Sequence, residues 1–293
     1  MKKKIIKLFK NPLSLIGIVL VLAFIGVAVS APWIAPPKYP TEPYRIPRDG
    51  WSSVPEPPGQ GHIFGTTEGQ YDIFYGVIWG TRTAFRVSLL VVGLSSLIGI
   101  IVGTIAAYYG GAIDEVLMRI VDVFYSIPYL VAAMVLTAVL GRGLNNAMIA
   151  LIAFGWMAYA RLIRGNILSI KEEEYVSAAD AVGAGDLRIL SRHILPNSIF
   201  PVLIQASMNM GTIVIAAATL SFLGVGAPTG YADWGQMISF ARNWILGTSG
   251  NPLQYWYTVV IPGVAITFFC LSWNLIGDAF RDIMDPKMQG GGV

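Results

Sequence analysis

Six long apolar runs dominate the pattern of hydrophobic and polar positions along the chain, and shorter polar segments separate them. A helix needs about 20 residues to cross the hydrocarbon core of a bilayer, and each run is near that length or longer. The second and sixth runs contain no Asp, Glu, Lys or Arg. The pattern predicts an all-α membrane protein with six transmembrane helices, at residues 13–35, 87–108, 119–140, 145–164, 198–224 and 256–277.

The third run is the weakest of the six. Arg119 and Asp122 lie at its start, and Pro128 interrupts it. Proline removes a backbone donor and clashes with the preceding turn, so a break is expected at that point. Because Arg119 and Asp122 are three residues apart on a helix, they are predicted to neutralise each other near the membrane surface.

The segment between the first two runs is rich in proline. Nine of the 17 prolines fall between Pro32 and Pro58, which favours an extended, loop-like chain. Residues 71–79 then place apolar side chains on one helical face, with aromatic residues suited to the headgroup region. Two alternatives stay open for 71–79, a short interfacial helix and a simple extension of the second span.

The distribution of basic residues predicts the orientation. With the N-terminus in the cytoplasm, thirteen of the 20 Lys and Arg residues lie on the inner side and seven on the outer side. Lysines followed by an apolar run also imitate a secretory signal, but Pro32 and the length of the run favour an uncleaved span. The predicted organisation is a cytoplasmic segment at 1–12, a first transmembrane helix at 13–35, an extracytoplasmic loop with an interfacial helix at 36–80, a five-span core at 81–280 that includes a cytoplasmic loop at 165–197, and a cytoplasmic tail at 281–293.

Composition excludes several classes of function. Hydrophobic residues make up 55% of the chain, charged residues 13%, and the mean hydropathy is +0.62. The net charge of +3 is small and no basic stripe suggests nucleic acid. A Gly-x-x-x-x-Gly-Lys-Ser/Thr phosphate loop is missing from the sequence, so ATP is not expected to bind here. His62, His193 and the single Cys270 are isolated in sequence, and no metal site is predicted.

One polar segment, from Glu174 to Pro196, has the composition of folded structure. Its alanines favour helix, and Gly183 with Gly185 allow a tight reversal between two short helices. Asp186 is expected to cap the second helix, and Pro196 suits the first turn of the fifth span. The segment is either a docking element for a partner protein or an amphipathic surface helix without a partner. The predicted docking residues are Glu174, Ala178, Ala179, Gly183, Ala184, Asp186, Leu187 and Pro196.

This segment resembles the coupling loop of ABC-importer permeases, the "EAA" loop. An Ala-Ala pair, a glycine and a Leu-Pro pair recur there at fixed spacing, and here they are Ala178-Ala179, Gly183 and Leu195-Pro196. Ser177 stands where many relatives carry a second glutamate. Within the family, the stretches at 62–67, 221–226 and 274–286 are similar to the C-type subunit of the dipeptide and oligopeptide branch.

The resemblance implies a permease subunit without enzymatic activity of its own. The implied partners are a second homologous permease that completes a heterodimer, two cytoplasmic ATPase subunits that bind ATP and Mg²⁺, and an extracytoplasmic solute-binding protein. The implied location is the cell inner membrane, with both termini in the cytoplasm. No cofactor is expected in this chain. The implied solute is a short peptide, with oligosaccharides or nickel complexes as alternatives, because the permeases that carry them look much alike.

Two polar or small-residue patterns lie inside the predicted spans. Gly99 and Gly103, in register with Ser95 and Ala107, are spaced for close helix packing. Gln205, Asn209 and Thr212 share one face of the fifth span. Such a polar face must contact protein or water, so these side chains either line a solute path or bond to neighbouring helices. As a path they predict a neutral or zwitterionic oligomer, with peptides favoured over oligosaccharides.

Two other classes of membrane protein fit the sequence less well than a permease. An ion-coupled secondary transporter usually holds its ion on ionisable residues at membrane depth, and the spans offer only Asp122, near one end. A membrane-embedded enzyme needs a nucleophile with its base, or paired metal ligands, and no such motif occurs in the sequence.

Overall fold

A computed structural model of the chain describes residues 11–59, 61–247 and 251–284. The predicted N-terminal segment up to residue 10, the tail from residue 285 and the end of the 274–286 stretch lie outside these residues. The described part is helical, with β pairing limited to three isolated bridges, and the all-α prediction is confirmed. Five of its helices are long and apolar enough to cross a membrane, or six if one bent pair counts as a span.

The first two long helices begin at side-chain caps. Helix α1 spans Pro12–Ile34, and the Asn11 side chain accepts a hydrogen bond from the Leu13 N–H. Helix α2 spans Ile73–Tyr109 and begins at Asp72, whose carboxylate accepts from the Tyr75 N–H at 2.7 Å. Its 37 residues run without a break, so the 71–79 segment forms the first turns of α2 and not a separate helix. At 1.5 Å per residue, α2 is about 55 Å long.

The third predicted span is broken. Helix α3 spans Gly111–Tyr125, helix α4 spans Tyr129–Leu140, and the two are bent by 84°. Pro128 lies at the bend, as predicted, because its ring and missing N–H stop α3 from continuing. The helical region also begins at Gly111 and not at the predicted residue 119.

The remaining helices complete the bundle. Helix α5 spans Leu144–Lys171 and packs along α2. Three short helices follow, α6 at Glu174–Ala181, α7 at Asp186–Ile189 and α8 at Leu195–Ser198, with a π-helical turn at Leu190–Ile194 before α8. Helix α9 spans Phe200–Phe222, α10 spans Trp234–Phe240 and α11 spans Tyr257–Met284.

The closest helix packing joins α2 to α5. A Cβ atom added to Gly99 would meet the Cβ of Tyr159 and the Trp156 carbonyl, and one added to Gly103 would overlap Ala160 and Ile163. Only glycine therefore lets the two backbones approach this closely. The small-residue register in α2 serves packing within this chain.

Side-chain contacts divide the bundle into two ends. At one end, which we call the short-helix end, lie residues 172–199, the close of α2 and the close of α5. Asn11 donates to Asp282. Gly277 lies against Met208 and Gly211 against Cys270, so α9 and α11 run antiparallel, and residues 11 and 282 lie at the short-helix end, where α9 begins.

The opposite end, which we call the aromatic cap, contains the described parts of residues 35–72 and 223–256 with the start of α2. Trp79, Trp234, Met237 and Tyr257 are buried there. The indole N–H of Trp79 donates to the Ala35 carbonyl at 2.9 Å. Because these side chains come from segments distant in sequence, the cap has a core of its own.

Two acidic side chains of the cap have hydrogen-bond partners inside the chain. His62 Nδ1 lies 2.6 Å from the Asp72 carboxylate, which agrees with its interpretation as a hydrogen-bonding loop residue. Asp233 caps α10 through the Gln236 N–H at 2.8 Å. Burial raises the pKa of the Asp233 carboxyl above its usual value, against the opposing effect of that hydrogen bond.

Candidate functional site: coupling surface and translocation cavity

The predicted docking segment forms two short helices that reverse at a glycine. Helix α6 ends with Gly183 at φ +78°, the Gly183 N–H bonds to the Asp180 carbonyl, and the Ala184 N–H bonds to the Ala179 carbonyl. This is a Schellman motif, which requires a residue in the left-handed region. Gly183 has the conformational role that the sequence predicts.

Asp186 has a different role from the predicted one. The backbone cap of α7 is Gly185, without a side-chain hydrogen bond, and Asp186 lies in the first turn. Its carboxylate accepts from the Tyr108 hydroxyl at 2.9 Å, at the close of α2. Tertiary contact replaces local capping because α2 brings a donor within reach. The sequence alone could not place Tyr108 beside a residue 78 positions away.

Lys171 strengthens the same junction. Its ammonium donates to the Ala107 carbonyl at 3.2 Å and the Tyr108 carbonyl at 2.8 Å, and so satisfies the end of α2. It also lies 5.5 Å from the centre of the Tyr108 ring. The close of α2, the close of α5 and the start of α7 are therefore held together by one tyrosine and one lysine.

The docking segment has a buried face and an exposed face. Val176, Ile189 and Ile194 belong to the main core, and Ala179 and Ala184 pack against it. Val182 and Leu187 are instead 83% and 80% exposed. The predicted docking residues on the exposed side are Glu174, Ala178, Gly183, Asp186, Leu187 and Pro196. Two apolar side chains held in solvent on a folded element are typical of a surface that meets a partner.

A cavity of about 330 Å³ opens where α3 bends into α4, between α2, α5 and α9. Its lining carries hydroxyl, amide, aromatic and aliphatic groups and no Asp, Glu, Lys or Arg. The lining residues are Val92, Ser95, Phe124, Tyr125, Ile127, Pro128, Tyr129, Phe154, Gly155, Met157, Ala158, Tyr159, Asn209, Thr212 and Ile213.

Two of the three predicted path residues face this cavity. Asn209 and Thr212 line it, whereas Gln205 is exposed and does not. Gln205 donates to the Asn209 side chain at 2.9 Å, and Asn209 donates to the Tyr159 hydroxyl at 2.8 Å. The polar stripe of α9 bonds to α5, as one of the two alternatives predicts, and two of its three side chains also line this cavity.

Sequence reasoning missed the other polar groups of the cavity. The spacing of small residues predicts only a packing role for Ser95, and no sequence pattern marks Tyr129 or Tyr159. Tyr129 immediately follows the proline that breaks the third span, and irregular backbone at membrane depth usually lines a cavity. That signal could have marked the bend as part of a site.

The two aspartates of α3 pair with arginines of α5 and not with a residue of α3. Asp122 lies 2.6 Å from Arg161 of α5, which corrects the predicted pairing with Arg119. Asp114 accepts two bonds of 2.6 Å from Arg164. Because α3 packs beside α5, these arginines offer better geometry than a neighbour on the same helix.

The described residues hold no group of three or more His, Cys, Asp or Glu that could bind a metal ion. His193 lies near the Tyr175 ring, 6.4 Å between centroids. The Cys270 thiol faces the Gly211 carbonyl at 3.2 Å between α9 and α11, where a small side chain is needed.

Comparison with known proteins assigns the family. Residues 95–290 match the binding-protein-dependent transport system inner membrane component, and residues 3–50 match the N-terminal transmembrane domain of oligopeptide transport permease C. The chain is 36% identical to a dipeptide transport system permease protein of Alkalihalophilus pseudofirmus over 97% of its own length and 88% of that protein. It is also 36% identical to a glutathione transport system permease protein of Escherichia coli, over 96% and 88%.

Solved structures agree at the level of fold. The membrane subunit of a methionine ABC transporter in an inward-facing conformation superposes with a TM-score of 0.59 at 17% identity, covering 73% of this chain and 98% of that one. An amino acid ABC transporter crystallised with histidines gives 0.52 at 17% identity, over 70% and 92%. The chain belongs to the family of inner membrane components of binding-protein-dependent transport systems, as a permease subunit of an ABC importer.

Proposed function

We propose that this chain forms half of the translocation path of an ATP-driven importer for short peptides. The observation that carries the proposal is its 36% identity, over nearly its whole length, to a permease named for dipeptide transport. The neutral cavity at the bend of α3 and α4 supports it, since hydroxyl and amide groups suit peptide bonds. The other half of the path would come from a second homologous permease, in a heterodimer.

The exposed face of α6 and α7 would dock one of two cytoplasmic ATPase subunits. Val182 and Leu187 provide apolar contact, and the Schellman reversal at Gly183 keeps the two helices in a fixed relation. ATP and Mg²⁺ would be bound by those subunits, and this chain would need no cofactor. An extracytoplasmic solute-binding protein would deliver the peptide to the aromatic cap.

The same proposal fixes the orientation in the inner membrane. The short-helix end and both termini would lie in the cytoplasm, and the aromatic cap would lie outside. Single cysteines at Ser52 and Ser177, in a Cys270→Ala background, test this arrangement. An impermeant thiol reagent should label position 52 from outside and position 177 only after the membrane is opened. Labelling of position 177 in intact cells would contradict both the orientation and the docking surface.

Reconstitution tests the activity. The chain, its partner permease, the two ATPases and the binding protein should import a mixture of dipeptides and tripeptides into proteoliposomes when ATP is present. Oligosaccharides and nickel complexes serve as competing solutes. Uptake of oligosaccharides or nickel without peptides would overturn the substrate class and leave the family assignment intact.

A glycine pair tests the coupling step. Gly183→Ala forces a Cβ into a left-handed position at φ +78°, which costs about 1–2 kcal/mol and should loosen the docking helices. Gly185→Ala is the matched control, because Gly185 has an ordinary φ of −69° and both sites have open space around them. ATP hydrolysis stimulated by loaded binding protein should fall in the first variant and persist in the second. Equal activity of both variants would remove the reversal from the coupling mechanism.

A further inference from the structure

The lining of the cavity at the bend of α3 and α4 combines two kinds of side chain. Some are polar, among them Ser95 of α2, Tyr159 of α5, and Asn209 and Thr212 of α9. Others are aromatic or aliphatic, among them Phe124, Tyr125, Ile127 and Phe154. The volume of about 330 Å³ lies at the small end of the range for ligand pockets. A ligand that contacts both kinds must itself have polar groups and an apolar part.

Ser95 is the polar group that a ligand would complete. Its side chain is buried, at 2% exposure, and its hydroxyl has no hydrogen-bond partner among the described residues. The Tyr159 hydroxyl, also in the lining, accepts from Asn209, and among the described residues it has no acceptor for its own hydrogen. Buried hydroxyls are normally satisfied, and an unsatisfied one beside a cavity indicates a group that bonds when the cavity is filled.

No wall of the cavity can neutralise an ionised side chain. Its lining contains no Asp, Glu, Lys or Arg. Asp122 and Arg161, on the two helices that flank it, already neutralise each other at 2.6 Å. Moving an unpaired charge out of water into such a space is strongly unfavourable. The cavity therefore discriminates by charge as well as by size.

We propose that this cavity is a selectivity subsite within the path, which binds one uncharged aliphatic or aromatic side chain of a peptide. The side chain lies against Phe124, Tyr125 and Ile127. The adjoining peptide group bonds to the hydroxyls of Ser95 and Tyr159. The inference rests on the proposed peptide-importer function and adds to it a preference that arises in the membrane subunit, after release from the binding protein.

Uptake of three matched tripeptides tests the subsite. The complete importer in proteoliposomes receives Ala-Phe-Ala, Ala-Lys-Ala or Ala-Glu-Ala, each at a concentration that saturates the binding protein. Saturation removes the binding protein's own preference, so the rates report the membrane steps. Ala-Phe-Ala should enter at least about tenfold faster than either charged peptide. Ser95→Ala should slow its uptake about fivefold, and Ser96→Ala, whose hydroxyl bonds to Gly93 of its own helix, should not.

Charges introduced at Ala158 make the test independent of folding. Ala158 lines the cavity and is exposed. Ala158→Glu should shift the rate ratio toward Ala-Lys-Ala, and Ala158→Lys should shift it toward Ala-Glu-Ala, each by about tenfold. Opposite shifts cannot come from general damage, which would slow all three peptides together.

The outcomes separate this inference from the function on which it rests. Uptake of all three peptides at similar rates, with no opposite shift at position 158, would overturn the subsite and leave the peptide importer standing. Failure of the wild-type complex to import any of the peptides would overturn both. A preference for Ala-Phe-Ala that Ser95→Ala and both charge variants alter as described would establish the subsite.

Discussion

The aromatic cap and the short-helix end differ in how they dispose of their apolar side chains. In the cap, Trp79, Trp234 and Tyr257 come from different segments of the chain, and all three side chains are almost inaccessible to solvent. One side of the short-helix end also packs against the core, yet Val182 and Leu187 are exposed to solvent. The cap also exposes Leu246 and Leu253, but its large aromatic side chains are buried, whereas the short-helix end exposes apolar side chains beside a fixed reversal at Gly183. The comparison predicts that Val182 and Leu187 form an interface and that the exposed leucines of the cap do not.

The largest expected effect breaks the cap. Trp234→Ala removes a buried indole that packs against Phe24 and Phe269 and donates to the Val77 carbonyl at 3.2 Å. The free energy of unfolding should fall by about 3–5 kcal/mol. Chemical denaturation in detergent micelles measures it. Leu187→Ala, at the short-helix end, should change the same quantity by less than about 0.5 kcal/mol, because its side chain is already exposed. Similar losses in both variants would erase the distinction between the two ends.

The second prediction concerns binding of the ATPase subunits, for which the short-helix end and not the cap should be sensitive to substitution. Leu187→Asp should weaken binding of the ATPase subunits at least about tenfold, or about 1.4 kcal/mol, while thermal stability stays unchanged. The aspartate carboxylate would lose its hydration in the contact and would have no group of opposite charge to pair with. Leu246→Asp is the control, since Leu246 is 85% exposed on the cap. Titration of the permease with purified ATPase compares the variants. Equal weakening by both substitutions would show that exposure alone does not define the interface.

A smaller effect is expected at the contact between α2 and α7. Tyr108→Phe removes the hydroxyl that donates to Asp186 and keeps the ring beneath Lys171. One hydrogen bond contributes about 0.5–1.5 kcal/mol, so stimulated ATP hydrolysis should fall by about two- to tenfold. Tyr109→Phe changes the neighbouring exposed tyrosine and should leave the rate unchanged. A rate for Tyr108→Phe that matches wild type would mean that α7 needs no fixed contact with α2.

The smallest effect is a pH dependence that arises in the cap. Burial raises the folded pKa of Asp233 above its unfolded value of about 3.9, so the folded state holds this proton more tightly. The associated stability is fully present below the unfolded pKa and is lost as pH rises through the folded pKa. Asp233→Asn should flatten this fall in thermal stability. Asp282→Asn, at the short-helix end, should retain it, and an unchanged slope in Asp233→Asn would refute the assignment.

The sequence predicts most of the fold because length and polarity decide it. Apolar runs of spanning length, Pro128 as a break and Gly183 as a reversal each act locally, and the structure shows each at its expected place. The predicted start of the third span is too late in the chain. Residues 111–118 carry Asp114 and Glu115, a charge pattern typical of a loop, but in the structure Asp114 pairs with Arg164.

The site is less accessible to sequence reasoning. Asp122 with Arg161, and Asp186 with Tyr108, join residues that only tertiary packing brings together. Ser95 has the spacing of a packing residue and is one, yet its hydroxyl also faces the cavity. A periodic pattern assigns a helix face but cannot say which part of that face a bend in another helix will leave open.

Helix α2 gives the molecule a mechanical property that neither end has alone. It runs from Trp79 in the cap to Tyr108 beside α7, without a proline or a break. The stretch between these two residues is about 44 Å long, and a tilt of about 5° displaces its far end by about 4 Å. A small rotation imposed at Tyr108 is therefore amplified by leverage into a displacement at Trp79 on the scale of a side chain. Because the length of α2 is fixed, it determines how far Trp79 moves for a given rotation at Tyr108.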